Sequence, residues 1–179
     1  TDKALSPGRL RAKKALVGRA VQGASACLAI GELNANFYRD YGALPRNVVR
    51  APYSVDNDFF SQLLPQRLGV RTTILTDLDL DPLLPTFLFA GKLISKKRPQ
   101  DVLEAFGRLS APANLIVVGD GPLAGKLKED FGSQRNVRFL GFANQSELVR
   151  YYTTADYLVL PSGDEPWGLV VNEAMAAGC

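Results

Sequence analysis

A chain of 179 residues with 46% hydrophobic and 22% charged side chains can bury a core and is no disordered tail. It has no histidine, which excludes Ser-His-Asp and Cys-His catalysis and histidine-based metal sites from these residues. Cys27 and Cys179 fit neither a zinc nor a disulfide framework, so a reduced, cytoplasmic setting is expected. No apolar run reaches the roughly 20 residues that span a bilayer.

The net charge of +3 is uneven. Lys3, Arg9, Arg11, Lys13, Lys14 and Arg19 oppose only Asp2 in residues 1–19, and the remainder is slightly acidic. With Leu5, Leu10, Leu16, Val17 and Val21 interspersed, the segment predicts a basic amphipathic helix. Such a helix suits an anionic membrane surface or the solvated flank of a larger domain. Neither an initiator Met nor a signal-peptide pattern is present, so the start reads as cut from a longer protein.

"ACLAIG" then predicts a buried strand, "ELNANFYRDYG" a helix ended by Gly42, and "NVVRAPYSVD" an extended stretch. The following "NDFFSQLLPQRLGVRTTILTDLDLDPLLP" holds three prolines and no sustained period, which predicts a connector. From residue 86 strands and helices alternate. "FLFAGK", "NLIVVGDG", "NVRFLGF" and "DYLVLPS" read as strands, with "PQDVLEAFGRL", "PLAGKLKEDFG", "SELVRYYTTA" and "GLVVNEAMAAG" as helices. Val102, Leu103, Phe106 and Leu109 share one face of the first of these helices. Continuous apolar strands separated by helices predict an α/β fold, a Rossmann-like parallel sheet with helices on both faces. Its ligands should bind beyond the carboxyl ends of the strands. Four strands would leave an apolar edge, so the sheet is expected to continue past Cys179.

Four stretches could carry chemistry. In "DEPWGLVVNEAMAAG" the last helix should start near Trp167 or Gly168, with Pro166 in its first turn. Glu165 then lies at the helix mouth and Glu173 about one and a half turns inside. The first amides form an anion site between two carboxylates that could hold hydroxyls; a capping acid plus one exposed glutamate is the plainer alternative. In "GKLISKKRP", Lys92, Lys96, Lys97 and Arg98 could hold a diphosphate on the same rim or form a solvated basic loop. "VVGDGPLAG" contains the G-x-G-x-x-A of a dinucleotide fingerprint in Gly119, Gly121 and Ala124. Pro122 and the lack of an acid after the next strand favour a plain glycine turn. Finally, Asp77, Asp79 and Asp81 could bind a divalent cation or form a polar turn, and their place before the α/β unit favours the turn.

Together, "FLFAGKLISKKRP…VLEAF", "LIVVGDGPL", "NVRFLGF" and "YLVLPSGDEPWGLVVNEAMAAG" resemble the donor-binding domain of retaining glycosyltransferases of the large GT-B family 4. The E-x7-E element from Glu165 to Glu173, followed by "AMAAG", is the most specific part. The resemblance implies residues 1–50 as the tail of an amino-terminal acceptor-side domain. It makes 51–85 an interdomain connector and 86–179 an incomplete nucleotide-sugar domain, the carboxy-terminal half of a truncated GT-B fold. It also implies roles. Glu165, the catalytic candidate, would hold hydroxyls of the transferred sugar and Glu173 the ribose. Lys92 and Lys97 would clasp the diphosphate, the amides of Gly168 and Leu169 would help hold phosphates and sugar, and Phe142 would lie near the base.

Two positions depart from the family pattern. Lys92 stands where arginine is common, and Arg98 replaces a common glycine. The acceptor domain and its histidine lie outside these residues, so the chain alone is expected to be inactive. The resemblance implies a parent enzyme that moves a sugar, with retention, from a nucleotide-diphosphate sugar to a glycan or lipid-linked acceptor. Cell-envelope polysaccharide synthesis is the expected setting. No cofactor, metal or nucleic acid is implied, and peripheral contact with an anionic membrane at its inner face is compatible with the basic start. A dinucleotide-binding oxidoreductase domain and a non-catalytic α/β binding module are the alternatives.

Overall fold

The computed structural model describes residues 6–179, and two compact units divide at Ser54 and Val55. Lys3 and Leu5 of the basic segment lie outside the described residues, as does the side chain of Leu10.

The first unit holds helix α1 (Pro7–Gly23), strand β1 (Cys27–Ala29), helix α2 (Glu32–Asp40) and strand β2 (Val48–Arg50). β1 and β2 pair in parallel, Cys27 opposite Val48. Val21, Cys27, Tyr41 and Ala43 form its core, and Val17 packs against them. Leu16 stays exposed, so α1 buries a narrower face than its apolar residues suggested.

The second unit begins with helices where a connector was expected. Helix α3 (Asn57–Ser61) and helix α4 (Arg67–Asp77) precede strand β3 (Thr86–Ala90). α4 contains Gly69 and β-branched Val70, Thr72, Thr73 and Ile74, a poor intrinsic helix. Tertiary contacts form it instead. Ile74 and Leu75 are buried, and two arginines fasten it to its surroundings. Arg67 donates to the carbonyls of Gly178 (2.6 Å) and Ala155 (2.9 Å), and Arg71 donates to those of Thr154 and Leu84. Both also pair with Asp156. The carbonyls of Thr154 and Ala155 end a helix, where cations are favoured. Cys179 lies near this cluster, and burial pushes its thiol up to about 11, with Arg67 opposing and Asp156 adding.

Then follow α5 (Pro99–Phe106), β4 (Asn114–Val118), α6 (Ala124–Phe131), β5 (Val137–Gly141), α7 (Gln145–Thr154), β6 (Tyr157–Leu158) and α8 (Leu169–Ala176). The four strands run parallel in the order β5-β4-β3-β6. Alternate residues feed two cores because side chains alternate across a strand. Leu88, Ala90, Ile116 and Val118 pack with Phe60, Leu75, Val149, Tyr152 and Ala174 on one face. Phe89, Leu115 and Val117 pack with Val102, Leu103, Phe106 and Leu127 on the other. This is the expected helix–sheet–helix architecture, and it explains why β3 and β4 read as unbroken apolar runs. Leu109 falls beyond the end of α5 and is half exposed. α7 starts with a capping box, Asn144 and Glu147 each bonding the other's backbone N–H.

Candidate functional site

The carboxyl ends of β3, β4 and β5 open into a cleft of about 720 Å³, with α7 and α8 supplying the remaining wall. From β3 the chain moves to β4 and β5 on one side, and β6 returns on the other. A cleft at such a switch in strand order is where open α/β sheets bind ligands.

Glu173 lines this cleft from α8, as do Lys92 after β3 and Phe142 after β5. Phe142 is 78% exposed, so its ring fills no core and is free to meet a planar ligand. Glu173 is held. The Tyr152 hydroxyl of α7 donates to its Oε2 at 2.9 Å. Tyr152 is 1% exposed, and burial pushes its hydroxyl well above the ordinary tyrosine value, with the neighbouring Glu173 carboxylate acting in the same direction. The phenol therefore stays protonated and a donor to Glu173.

Glu165 and Lys97 are brought together as an ion pair between the β6–α8 and β3–α5 loops. Ser162 donates to the same Oε2 of Glu165 at 3.0 Å. The Lys97 hydrogen bond is the main cause holding the Glu165 carboxyl below its usual range; partial burial opposes it, and Ser162 and the charges of Lys97 and Lys96 assist. A second pair, Lys96–Asp164 at 3.0 Å, and the Gly163 amide on the Lys96 carbonyl fasten the same two loops. Neither Lys97 nor Glu165 lines the cleft wall itself.

α8 begins at Leu169, one or two residues later than expected, and Pro166 stays in the loop before it. Gly168 is its N-cap with φ +69°, a left-handed conformation that glycine adopts without a Cβ penalty. Amides of the first helical turn have no intrahelical acceptor, so Leu169 and Val170 present N–H groups at a positive helix end. Val170 and Glu173 of this helix reach the cleft.

Gly119 and Gly121 also line the cleft, and their placement has a packing cause. Gly119 has φ +137°, and a Cβ there would sit 1.9 Å from the Gly91 carbonyl oxygen. One at Gly121 would sit 2.6 Å from that of Leu93. Reciprocal bonds, Leu93 N–H to Asp120 O (2.9 Å) and Leu123 N–H to Leu93 O (3.1 Å), lock the two loops together. The glycines thus answer to loop–loop packing, and no feature of the motif requires a dinucleotide. The aspartate run is a helix stop. Asp79 has φ +52° and meets Arg138, and Asp81 accepts from the Leu83 amide. Among the described residues no cluster of three or more His, Cys, Asp or Glu side chains could hold a metal.

Tyr152, Ser162 and Asp120 are site residues that the sequence did not single out. Ser162 and Asp120 are polar residues in loops at strand ends, a position that could have marked them. Tyr152 sits on an amphipathic helix and reads as core.

The fold is a Rossmann-like domain with a cleft at a switch in strand order. The chain belongs to the family of glycosyl transferases group 1, whose model matches residues 71–179. It is 31% identical over 147 residues to a D-inositol 3-phosphate glycosyltransferase of Xylanimonas cellulosilytica, covering 78% of this chain and 35% of that protein. It is 36% identical over 96 residues to an uncharacterized glycosyltransferase of Methanocaldococcus jannaschii, covering 51% and 25%. The chain therefore spans about a third or less of the length of these relatives. Among solved structures, WaaG, a glycosyltransferase involved in lipopolysaccharide biosynthesis, matches with TM-score 0.69 at 23% identity, covering 92% of this chain and 46% of that one. Anabaena HepE in complex with UDP and glucose matches with TM-score 0.63 at 20% identity, covering 99% and 48%. These structures share the fold.

Proposed function

We propose that the chain is the donor-binding part of a retaining glycosyltransferase of GT-B family 4, which moves a sugar from a nucleoside-diphosphate sugar to a glycan or lipid-linked acceptor. The carrying observation is the pairing of an anchored carboxylate, Glu173, with Lys92 in one cleft beside the N-terminus of α8. Carboxylates accept well from sugar hydroxyls, and ammonium groups and helix amides suit phosphate.

Glu173 takes the ribose hydroxyls, Phe142 lies against the base, and Lys92 contacts the diphosphate. Lys97 keeps one N–H on Glu165 and turns others to phosphate, since an ammonium has three donors. The amides of Gly168 and Leu169 assist there. Glu165 holds hydroxyls of the transferred sugar through the oxygen that Lys97 and Ser162 leave open. In transfer the bond from the anomeric carbon to the diphosphate oxygen breaks and one to the acceptor oxygen forms. The acceptor hydroxyl proton passes to the departing diphosphate oxygen, and Lys92, Lys97 and the helix end stabilise that diphosphate. No metal or cofactor takes part.

HepE was solved with UDP-glucose, and WaaG serves lipopolysaccharide biosynthesis, which supports a nucleotide-sugar donor and a role in cell-envelope polysaccharide synthesis. Exposed Arg9, Arg11, Lys14 and Arg19 on α1 suit peripheral contact with an anionic inner membrane face from the cytoplasm. No helix among the described residues is long and apolar enough to cross a membrane.

Calorimetric titration of the chain with UDP, GDP, ADP and NAD tests this reading. One nucleoside diphosphate should bind, and Glu173→Ala should weaken it whatever sugar it carries. Glu165→Ala should weaken the nucleotide-sugar more than the bare diphosphate. Binding of NAD alone, or indifference to both substitutions, would sink the assignment.

A further inference from the structure

We infer that Tyr152 is the positioning residue of the ribose site: its buried hydroxyl fixes the plane of the Glu173 carboxylate and so makes the site select ribose over 2′-deoxyribose. This rests on the donor-site reading above and adds a residue to it.

Tyr152 is buried in the core formed by α3, α4, α7 and α8, with its ring 6.1 Å from that of Phe60. A phenylalanine would fill the same space, so packing explains the ring but not the hydroxyl. The oxygen of that hydroxyl reaches Glu173 Oε2 at 2.9 Å. One face of this carboxyl group is thus held from inside the protein, while the group lines the cleft.

A glutamate on a helix surface is free to turn about its last torsion. Two neighbouring ribose hydroxyls can donate side by side to the two oxygens of one carboxylate only when that group lies in the right plane. A carboxylate has about four lone-pair positions, so the Tyr152 bond leaves acceptors on both oxygens. Fixing the plane before the ligand arrives removes an ordering cost from binding, as it does for supporting hydrogen bonds in other sites. The benefit is largest for a ligand that uses both oxygens. A 2′-deoxyribose offers one hydroxyl and gains less.

The experiment titrates the chain with UDP, GDP and ADP, then with the 2′-deoxy form of whichever binds. Wild type should prefer the ribose form. In Tyr152→Phe the affinity for the ribose form should fall about five- to tenfold, the scale of one ordinary net hydrogen bond. Affinity for the 2′-deoxy form should hardly move, so the preference collapses. Glu173→Gln should lower the preference too, and adding Tyr152→Phe to it should cost little more, because the two act as a unit. Circular dichroism and thermal unfolding confirm that each variant is folded. An equal loss for both sugars in Tyr152→Phe would mean a structural hydroxyl only and would overturn the inference. So would an unchanged preference in Tyr152→Phe while Glu173→Ala abolishes binding, and in that case the donor-site reading survives. If wild type binds no nucleoside diphosphate, both fall.

Discussion

Lys97 of the β3–α5 loop is ion-paired with Glu165 of the β6–α8 loop, although 68 residues separate them. The pairing joins a group expected on the diphosphate to one expected on the sugar. Glu165 and Glu173 are arranged alike. In each, Oε2 is held by the protein, by Lys97 and Ser162 in one case and by Tyr152 in the other. In the reading proposed above, the donor is met by carboxylates that are already oriented.

The Lys97 bond gives a pH signature. Because Glu165 is held below its usual range when folded, its contribution to stability is complete above the ordinary carboxylate range and is lost as pH falls through the lowered folded value. Lys97→Met removes the main cause of that shift. The urea midpoint of the variant should lie below wild type at neutral pH, and the two should converge in acid. A gap that stays constant across the carboxylate range would show that the pair has no such linkage.

The β4–α6 loop makes a contrasting case for backbone. Gly119→Ala places a Cβ 1.9 Å from the Gly91 carbonyl oxygen at φ +137°. The strain and the displaced loop should cost on the order of 3 kcal/mol and disturb the cleft wall. Gly125, a few residues later in α6, has nothing within 4 Å of its ideal Cβ. Gly125→Ala should add roughly 0.5–1 kcal/mol, through helix propensity and a less flexible unfolded chain. Chemical denaturation of both variants reads the two signs directly.

Much of the second unit is legible in the sequence because its signals are local. β3 and β4 are apolar on both faces, since each feeds two cores, and α7 carries its capping box in four consecutive residues. Lys92 follows from its place after a strand, Glu173 from its place in the first turns of the last helix and Phe142 from the family resemblance, and the cleft gathers all three. What stays hidden depends on distant partners. α4 is a helix through Arg67, Arg71 and buried Ile74 rather than through its own propensities. Tyr152 looks like core from its helical position, because only the fold sets its hydroxyl against Glu173. The Lys97–Glu165 pair is invisible for the same reason. Gly168 as cap rather than first helical residue reflects its positive φ, which spacing does not encode.

The α4 arginines differ in kind from the surface pairs. Arg71 has a side chain only 13% exposed and serves the carbonyls of Thr154 and Leu84 together with Asp156. Arg71→Ala removes the strongest donors to the Thr154 and Leu84 carbonyls and leaves Asp156 only Arg67 and the Thr86 amide, a loss of about 2–3 kcal/mol. Arg39, 46% exposed beside an exposed Glu32, is bound only by surface contacts. Arg39→Ala should cost less than about 1 kcal/mol. Equal losses in urea unfolding would refute this account of why α4 forms.

Metal removal tests the reading of the aspartate run. Asp79 adopts the left-handed turn that ends α4, where Arg138 donates to the Leu78 carbonyl (2.6 Å) and the Asp79 carbonyl (2.8 Å). Asp81 is turned to the Leu83 amide, 2.9 Å away. The Asp79 backbone and the side chains of Arg138 and Asp81 close this turn, and the positive groups proposed for the diphosphate, Lys92, Lys97 and the start of α8, belong to the chain itself. Nucleoside-diphosphate affinity should therefore be the same in EDTA and in millimolar magnesium or manganese, and Asp77→Asn with Asp79→Asn should not change it. A strict requirement for either cation, lost in that double variant, would make the run a metal site and move the diphosphate away from the lysines.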